Sequence, residues 1–439
     1  MIRHPFLLQD LLQVTTSNDG HPFPRSVSRM LQNLSVSDLS NREKRKKKRV
    51  FVYCRRVFLK LLQQRASFAV QLCCKVASTV AMKLVTVYLL SLFAFFVIIS
   101  ASPDDADDEE MVRFKEFKRR NKKRYNGPLE RVHFKRWKKR RAAIRRHNNG
   151  TSSGRRSSFR MADNLFADQS EEEWETYLLG VTIPEEFIAN QEEVSEQVET
   201  TTVDAEIGGN LVAEIIEADD RQTAPSLDLR KNPCMPPVKF QSPCGGCWAF
   251  IATTAVEYQT CTSRTNRTAL TLSEQQLIDC SGSYGTKGCN GGFYSQAWDY
   301  IMAIGGLATN VTYPYRAAAG TCQFTKGITP TAGRVSRYAY LAKNETTILN
   351  ALRRGPVAVS IVANTKFILY SSGIFDDETC KSGTLNHGAV LVGYGRANGT
   401  DYWIVRNSWG TSWGQNGYIF MKRNVNMCRL AEYAFLATV

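Results

Sequence analysis

Histidine is scarce in this chain: only His4, His21, His133, His147 and His387 occur in 439 residues. A single imidazole remains beyond residue 147, so any imidazole-assisted chemistry in the C-terminal half must run through His387. Acidic residues are equally scarce in one stretch. Residues 111–160 hold twenty Lys and Arg against only Glu116 and Glu130, a local excess of +18. Such density suits polyanions, but Phe114, Phe117, Phe134, Trp137 and Ile144 recur among the charges at broadly helical spacing. The preferred reading is a solvated, packed helix, with polyanion contact as a further partner and no specific nucleic acid. Neither a metal nor a cofactor is implied.

The length and the shifts in composition predict at least two folded units plus tails. Long uncharged runs are rare, which makes residues 84–101 (LVTVYLLSLFAFFVIISA) conspicuous. After Met82 and Lys83 this run reads as a cleaved signal sequence, with a membrane signal anchor as the alternative. Residues 82–101 are thus the targeting segment. Residues 1–81 are a disordered N-terminal extension or lie upstream of the true start. Three cysteines fall early and nine after residue 230. Removing one late cysteine as a nucleophile leaves eight, a parity that suits a disulfide framework and a secreted or lysosome-like destination. Sequons at Asn266, Asn310, Asn344 and Asn398 suit a glycosylated surface.

The candidate nucleophile is Cys247, in QSPCGGCWAF (residues 241–250). His387 follows it by 140 residues in LNHGAVLVGYG (385–395), and Asn407 by 160 in YWIVRNSWGTSWGQNGYIFM (402–421). These three runs, with LSEQQLIDC (272–280) and GCNGGF (288–293), resemble the cysteine, histidine, asparagine, disulfide and groove motifs of the papain-like cysteine peptidases, including cathepsin L-like and mite group 1 allergen-like branches. The resemblance implies an α+β, two-lobed fold, with a helical left domain and a β-barrel-like right domain. It also implies a cysteine endopeptidase made as a secreted or lysosomal zymogen and acting on protein or peptide substrates.

The resemblance extends upstream. ERVHFKRWKKRRAAIRRHN (130–148) is similar to the family's inhibitory propeptide helix through Phe134, Trp137, Ile144 and Asn148. ADNLFAD (162–168) is similar to its following motif through Asn164, Phe166 and Asp168. His133, Arg140 and Ala162 depart from the usual residues, and GTSSGRRSS (150–158) resembles an insertion. A helical prodomain over 111–180 is expected, acting on the chain's own enzyme. Residues 171–220 are strongly acidic without a strong core pattern, so 181–221 reads as a linker removed on activation. The peptidase domain is assigned to 222–439, with twenty Lys and Arg against eleven Asp and Glu.

The resemblance also implies roles. Cys247 would ionise beside His387 at a helix N-terminus, Asn407 would orient the imidazole under the cover of Trp409, and Gln241 would donate to the oxyanion. Gly291 and Gly292 would present backbone to an extended substrate, while Phe293, Tyr294, Ser360, Leu385 and Tyr433 would line an apolar specificity pocket. Implied disulfides are Cys244–Cys289, Cys280–Cys322 and Cys380–Cys428. Cys234 and Cys261 are left either to bridge each other or to remain free buried thiols.

Overall fold

The computed structural model describes residues 103–150, 157–185, 187–188, 224–341 and 343–439. The expected N-terminal extension and targeting segment, and most of the expected linker, lie outside these residues. Two helices open the described chain: α1 (Pro103–Arg120) and α2 (Pro128–Asn149), which starts with proline in its first turn. Apolar residues at helical intervals meet between them. Phe114 and Phe117 lie 5.4 and 5.8 Å, centroid to centroid, from Trp137. Ion pairs fasten the edges, with Glu110 at 2.7 Å from both Arg141 and Arg145, and Lys118 on Glu130.

The prodomain is not wholly helical as expected. Phe159–Met161 forms strand β1, which pairs antiparallel with β5 (Tyr370–Phe375). Asn148 at the end of α2 holds this strand from the other side, accepting from the Met161 amide at 3.0 Å and donating to its carbonyl at 2.8 Å. Phe159 and Met161 point into the core while Arg160 faces out, an alternation too short to be recognised in sequence.

Residues 171–181 are likewise no featureless linker. Ser170 and Glu173 form a reciprocal capping box that starts α3 (Glu171–Tyr177). Trp174, Leu178, Leu179 and Val181 are buried, and the Arg140 guanidinium lies 3.8 Å from the Trp174 ring centroid. The acidic residues face solvent and the few apolar ones face the core. Packing continues to Phe187, whose ring is 5.4 Å from Phe435 and 5.7 Å from Phe293.

The C-terminal region has helical and sheet halves. Its central helix α4 (Cys247–Thr262) is buried on every side and is flanked by α5 (Glu274–Cys280) and α6 (Tyr294–Ile304). A mixed sheet faces it, ordered β1-β5-β8-β7-β6-β4-β9-β3. Here β3 is Arg337–Leu341, β4 Val357–Ile361, β6 His387–Ala397, β7 Thr400–Arg406, β8 Tyr418–Lys422 and β9 Ala434–Thr438. The short β2 (Leu227–Asp228) adds to β6. Every residue of β4 is buried, as befits a central strand covered on both faces. Disulfides join Cys234–Cys261, Cys244–Cys289, Cys280–Cys322 and Cys380–Cys428, and Cys247 is the free cysteine among the described residues.

Candidate active site

Three elements converge on Cys247. The residue opens α4 behind Gly246, which supplies no side-chain cap, so the helix start keeps amides directed toward the sulfur. His387 is the first residue of β6, and Asn407 directly follows β7, the strand antiparallel to β6. The backbones of Gly388, next to His387, and of Gly180 from the prodomain lie close to the Cys247 sulfur. Cys247 and His387 are both fully buried.

The imidazole is held on one side only. His387 Nε2 lies 2.9 Å from Asn407 Oδ1, which has no proton to give, so Nε2 carries the hydrogen and Nδ1 is the acceptor in the neutral ring. Nδ1 is buried and has no hydrogen-bond partner among the described residues. Trp409 covers the pair with its ring centroid 4.6 Å from that of His387, and the prodomain's Phe166 packs edge-on against Trp409 at 5.5 Å.

Gln241 is pinned at both ends. Its Oε1 accepts from Ser408 Oγ at 2.6 Å, which turns Nε2 toward the Leu178 carbonyl at 3.1 Å and the Cys244 carbonyl at 3.0 Å. Its backbone amide donates to Ser408 O at 2.9 Å, and its carbonyl accepts from Tyr315 OH. Ser408 and Tyr315 were not singled out from sequence. Ser408 had a usable signal, lying between Asn407 and Trp409, whereas Tyr315 reaches Gln241 across 74 positions.

The prodomain lies over this machinery as an extended strap. The amides of Gly180 and Val181 donate to Asn386 O at 2.9 and 3.2 Å. Gly292 N donates to Gly180 O at 3.1 Å, and Thr182 N to Gly292 O at 3.1 Å. Val181 runs parallel to Gly292. Gly180 admits no side chain, since a Cβ there would stand 1.9 Å from Gly245 O. The expected pocket residues are gathered beside the strap: Phe293 stacks on Tyr294 at 4.2 Å, Tyr433 meets Phe293 edge-on, and Tyr294 OH is 3.1 Å from Ser360 Oγ. Leu385 is buried immediately before Asn386, and Gly291 precedes the strap's partner.

Burial decides the charge state under the strap. It pushes the Cys247 thiol up to about 12, against the opposing backbone hydrogen bonds. It also lowers His387 to about 4, opposed by the bond to Asn407 and by the nearby Leu178 carbonyl. While the strap is in place, burial thus disfavours the charged form of both groups. Among the described residues no His, Cys, Asp and Glu cluster is arranged to hold a metal.

Known proteins match this arrangement. Residues 223–438 match the papain family cysteine protease model, and residues 114–174 match the cathepsin propeptide inhibitor domain. The chain belongs to the papain family of cysteine proteases and carries that family's propeptide. It is 41% identical over 227 residues to a cathepsin L-like proteinase of Fasciola hepatica, covering 51% of this chain and 68% of that one. It is 35% identical over 326 residues to a cathepsin L-like peptidase of Aedes aegypti, covering 72% and 90%. Among solved structures, digestive procathepsin L 3 of the Tenebrio molitor larval midgut superposes with a TM-score of 0.62 at 34% identity, covering 75% of this chain and 99% of that one.

Proposed function

We propose that this zymogen becomes a secreted or lysosomal endopeptidase in which Cys247 is the nucleophile, His387 the acid and base, Asn407 its orienting partner and Gln241 an oxyanion donor. The observation that carries the reading is the half-held imidazole: Nε2 is fixed by Asn407, Nδ1 is buried and unpartnered, and the next residue, Gly388, has its backbone close to the free Cys247. Removing the strap returns water to the groove, relieving the desolvation that keeps both groups neutral. The proton then passes from sulfur to Nδ1, giving thiolate and imidazolium beside the α4 N-terminus. The thiolate attacks the peptide carbonyl carbon and a C–S bond forms. The oxyanion takes donors from Gln241 Nε2, now freed from the Leu178 carbonyl, and from the Cys247 amide. His387 protonates the amine as the C–N bond breaks. It then takes a proton from water as water attacks the thioester, releasing the acid and restoring the cysteine.

Gly291 and Gly292 would pair with substrate backbone as Gly292 now pairs with Gly180. The Phe293, Tyr294, Ser360, Leu385 and Tyr433 surface carries no carboxylate, which favours an apolar side chain one place before the residue giving the scissile carbonyl and disfavours Arg there. Four disulfides fit an oxidising compartment. Maturation would remove the linker and leave an N-terminus near Gln222–Ser226.

The test is labelling of the activated protein with a thiol-reactive peptide epoxide, together with peptide turnover. Cys247→Ala should abolish both. His387→Ala should lower turnover by on the order of a thousandfold or more and slow labelling at mildly acidic pH. Turnover by Cys247→Ala would overturn the assignment.

A further inference from the structure

The strap makes two separate apolar contacts with the peptidase region. Val181 lies in the groove beside Gly388, its Cγ2 3.0 Å from where a Cβ on that glycine would stand. Six positions further along the chain, Phe187 packs elsewhere: its ring lies edge-on to Phe435 at 5.4 Å, 5.7 Å from Phe293 and 6.3 Å from Tyr340. The Phe187 amide donates to the carbonyl of buried Pro184 at 3.1 Å, which fixes the approach of the ring.

The seat of Phe187 is built without the prodomain. Tyr340 on β3 and Phe435 on β9 stand directly opposite each other in an antiparallel pair, with ring centroids 5.1 Å apart, and Tyr340 OH donates to Glu432 O at 2.7 Å. Phe293, the residue before α6, closes the third side at 5.7 Å from Phe435. Paired strands and the tyrosine hydroxyl hold these rings, so departure of the strap leaves a preformed aromatic hollow facing water.

We propose that this hollow is a second substrate subsite, taking an aromatic or large apolar side chain of the protein substrate upstream of the residue in the main pocket. The proposal rests on the endopeptidase reading above. Phe187 already fills the hollow with that chemistry, and Phe293 lines both the hollow and the pocket, which makes the two continuous on the acyl side of the groove. Rings uncovered together in this way mark a binding surface rather than a solvated one. The strap covers the distance from Val181 in six residues, so a substrate reaches the hollow no more than about six positions upstream of its pocket residue.

The experiment uses enzyme activated from the full chain and internally quenched peptides that share one scissile bond and one apolar pocket residue. A single Phe is moved through the six positions upstream of the pocket residue, with Ala at the others. At one position, or two neighbouring ones, Phe should raise kcat/KM about tenfold over the peptide with Ala throughout, from the apolar area it buries. That gain should fall to about unity in Tyr340→Ala and persist in Tyr340→Phe. Each gain is a ratio within one enzyme variant, so a general loss of activity cancels. Absence of a gain at every position would overturn the proposal, as would an undiminished gain in Tyr340→Ala or its loss in Tyr340→Phe. Dimerisation of the activated enzyme that Tyr340→Ala abolishes would also overturn it, assigning the hollow to a second copy. Failure to cleave any of the peptides would instead overturn the endopeptidase reading on which the subsite depends.

Discussion

The prodomain and the peptidase region are held together by different forces. In residues 103–188 a thin aromatic layer between two helices is framed by charges: Glu110 bridges Arg141 and Arg145, and buried Asp168 accepts from Lys123 and Tyr125. No disulfide occurs there among the described residues. Residues 224–439 carry four cross-links, and their central helix is apolar and buried all round. Burial and disulfides are nearly indifferent to pH, whereas carboxylate pairs are not. One change of environment can therefore loosen the inhibitor and spare the enzyme.

The largest expected effect breaks the prodomain alone. Trp137 is buried against Phe114 and Phe117 with its indole N–H 3.2 Å from Asp163. Trp137→Ala should cost about 3–5 kcal/mol of prodomain stability and raise the peptide turnover of the unprocessed chain, with the peptidase region's unfolding temperature unchanged. A matching fall in that temperature would show the two regions to be one cooperative unit.

A somewhat smaller effect should be confined to the peptidase region. The Cys234–Cys261 bridge spans 27 positions and ties the segment before Gln241 to the end of α4. In the chain-entropy view, replacing both cysteines by Ser should cost about 3–4 kcal/mol. Chemical denaturation of the mature enzyme reads this loss. Prodomain affinity for any remaining folded enzyme should be unaltered.

The smallest effects concern pH, where the two regions should respond with opposite sign. Burial alone would raise the Glu110 carboxyl, but the hydrogen bond from Arg145 and the charges of Arg141, Arg145 and Arg113 hold it below its ordinary 4.5. Its contribution is present above the ordinary value and lost as pH falls through the lowered one. His387 adds nothing to this slope, because the proton it gains on uncovering is the one that Cys247 gives up. Prodomain inhibition should weaken as pH falls below 4.5, and a flat inhibition profile there would reject the mechanism.

In the peptidase region, burial pushes Glu257 up to about 7, with Glu274 adding to the rise and Lys239 opposing it. A raised carboxyl contributes most below 4.5 and loses that contribution as pH rises through about 7. The mature enzyme should therefore unfold more readily at pH 7.5 than at pH 5, a difference that Glu257→Gln should reduce. Equal thermal midpoints at both values in the unmodified enzyme would count against this.

Much of the fold and the candidate site was legible because their signals are local. Cys247 sits in a run with helical periodicity, and His387 and Asn407 stand at the edges of glycine-broken β runs. Phe114, Phe117, Trp137 and Ile144 recur at helical intervals. Strand β1 was missed because its three residues carry too little pattern and depend on β5, more than 200 positions away. The packing of residues 171–181 was missed because acids outnumber the few apolar side chains, and a count cannot tell which of them face inward.

The amino-acid sequence by itself determined the order of the chemical groups, the family and the presence of a propeptide, since each is written in short runs whose residue types have few other uses in that combination. Only the tertiary structure decided what those groups do while covered. It lays the Leu178 carbonyl on Gln241, turns Gln241 through Ser408, and buries Cys247 and His387 where desolvation disfavours their charged forms. It also divides the prodomain's cations into those that fasten the helices and those left facing water. The physical reason is the same throughout: charge state and exposure depend on which distant groups displace solvent, and that is fixed by contacts between residues far apart along the chain.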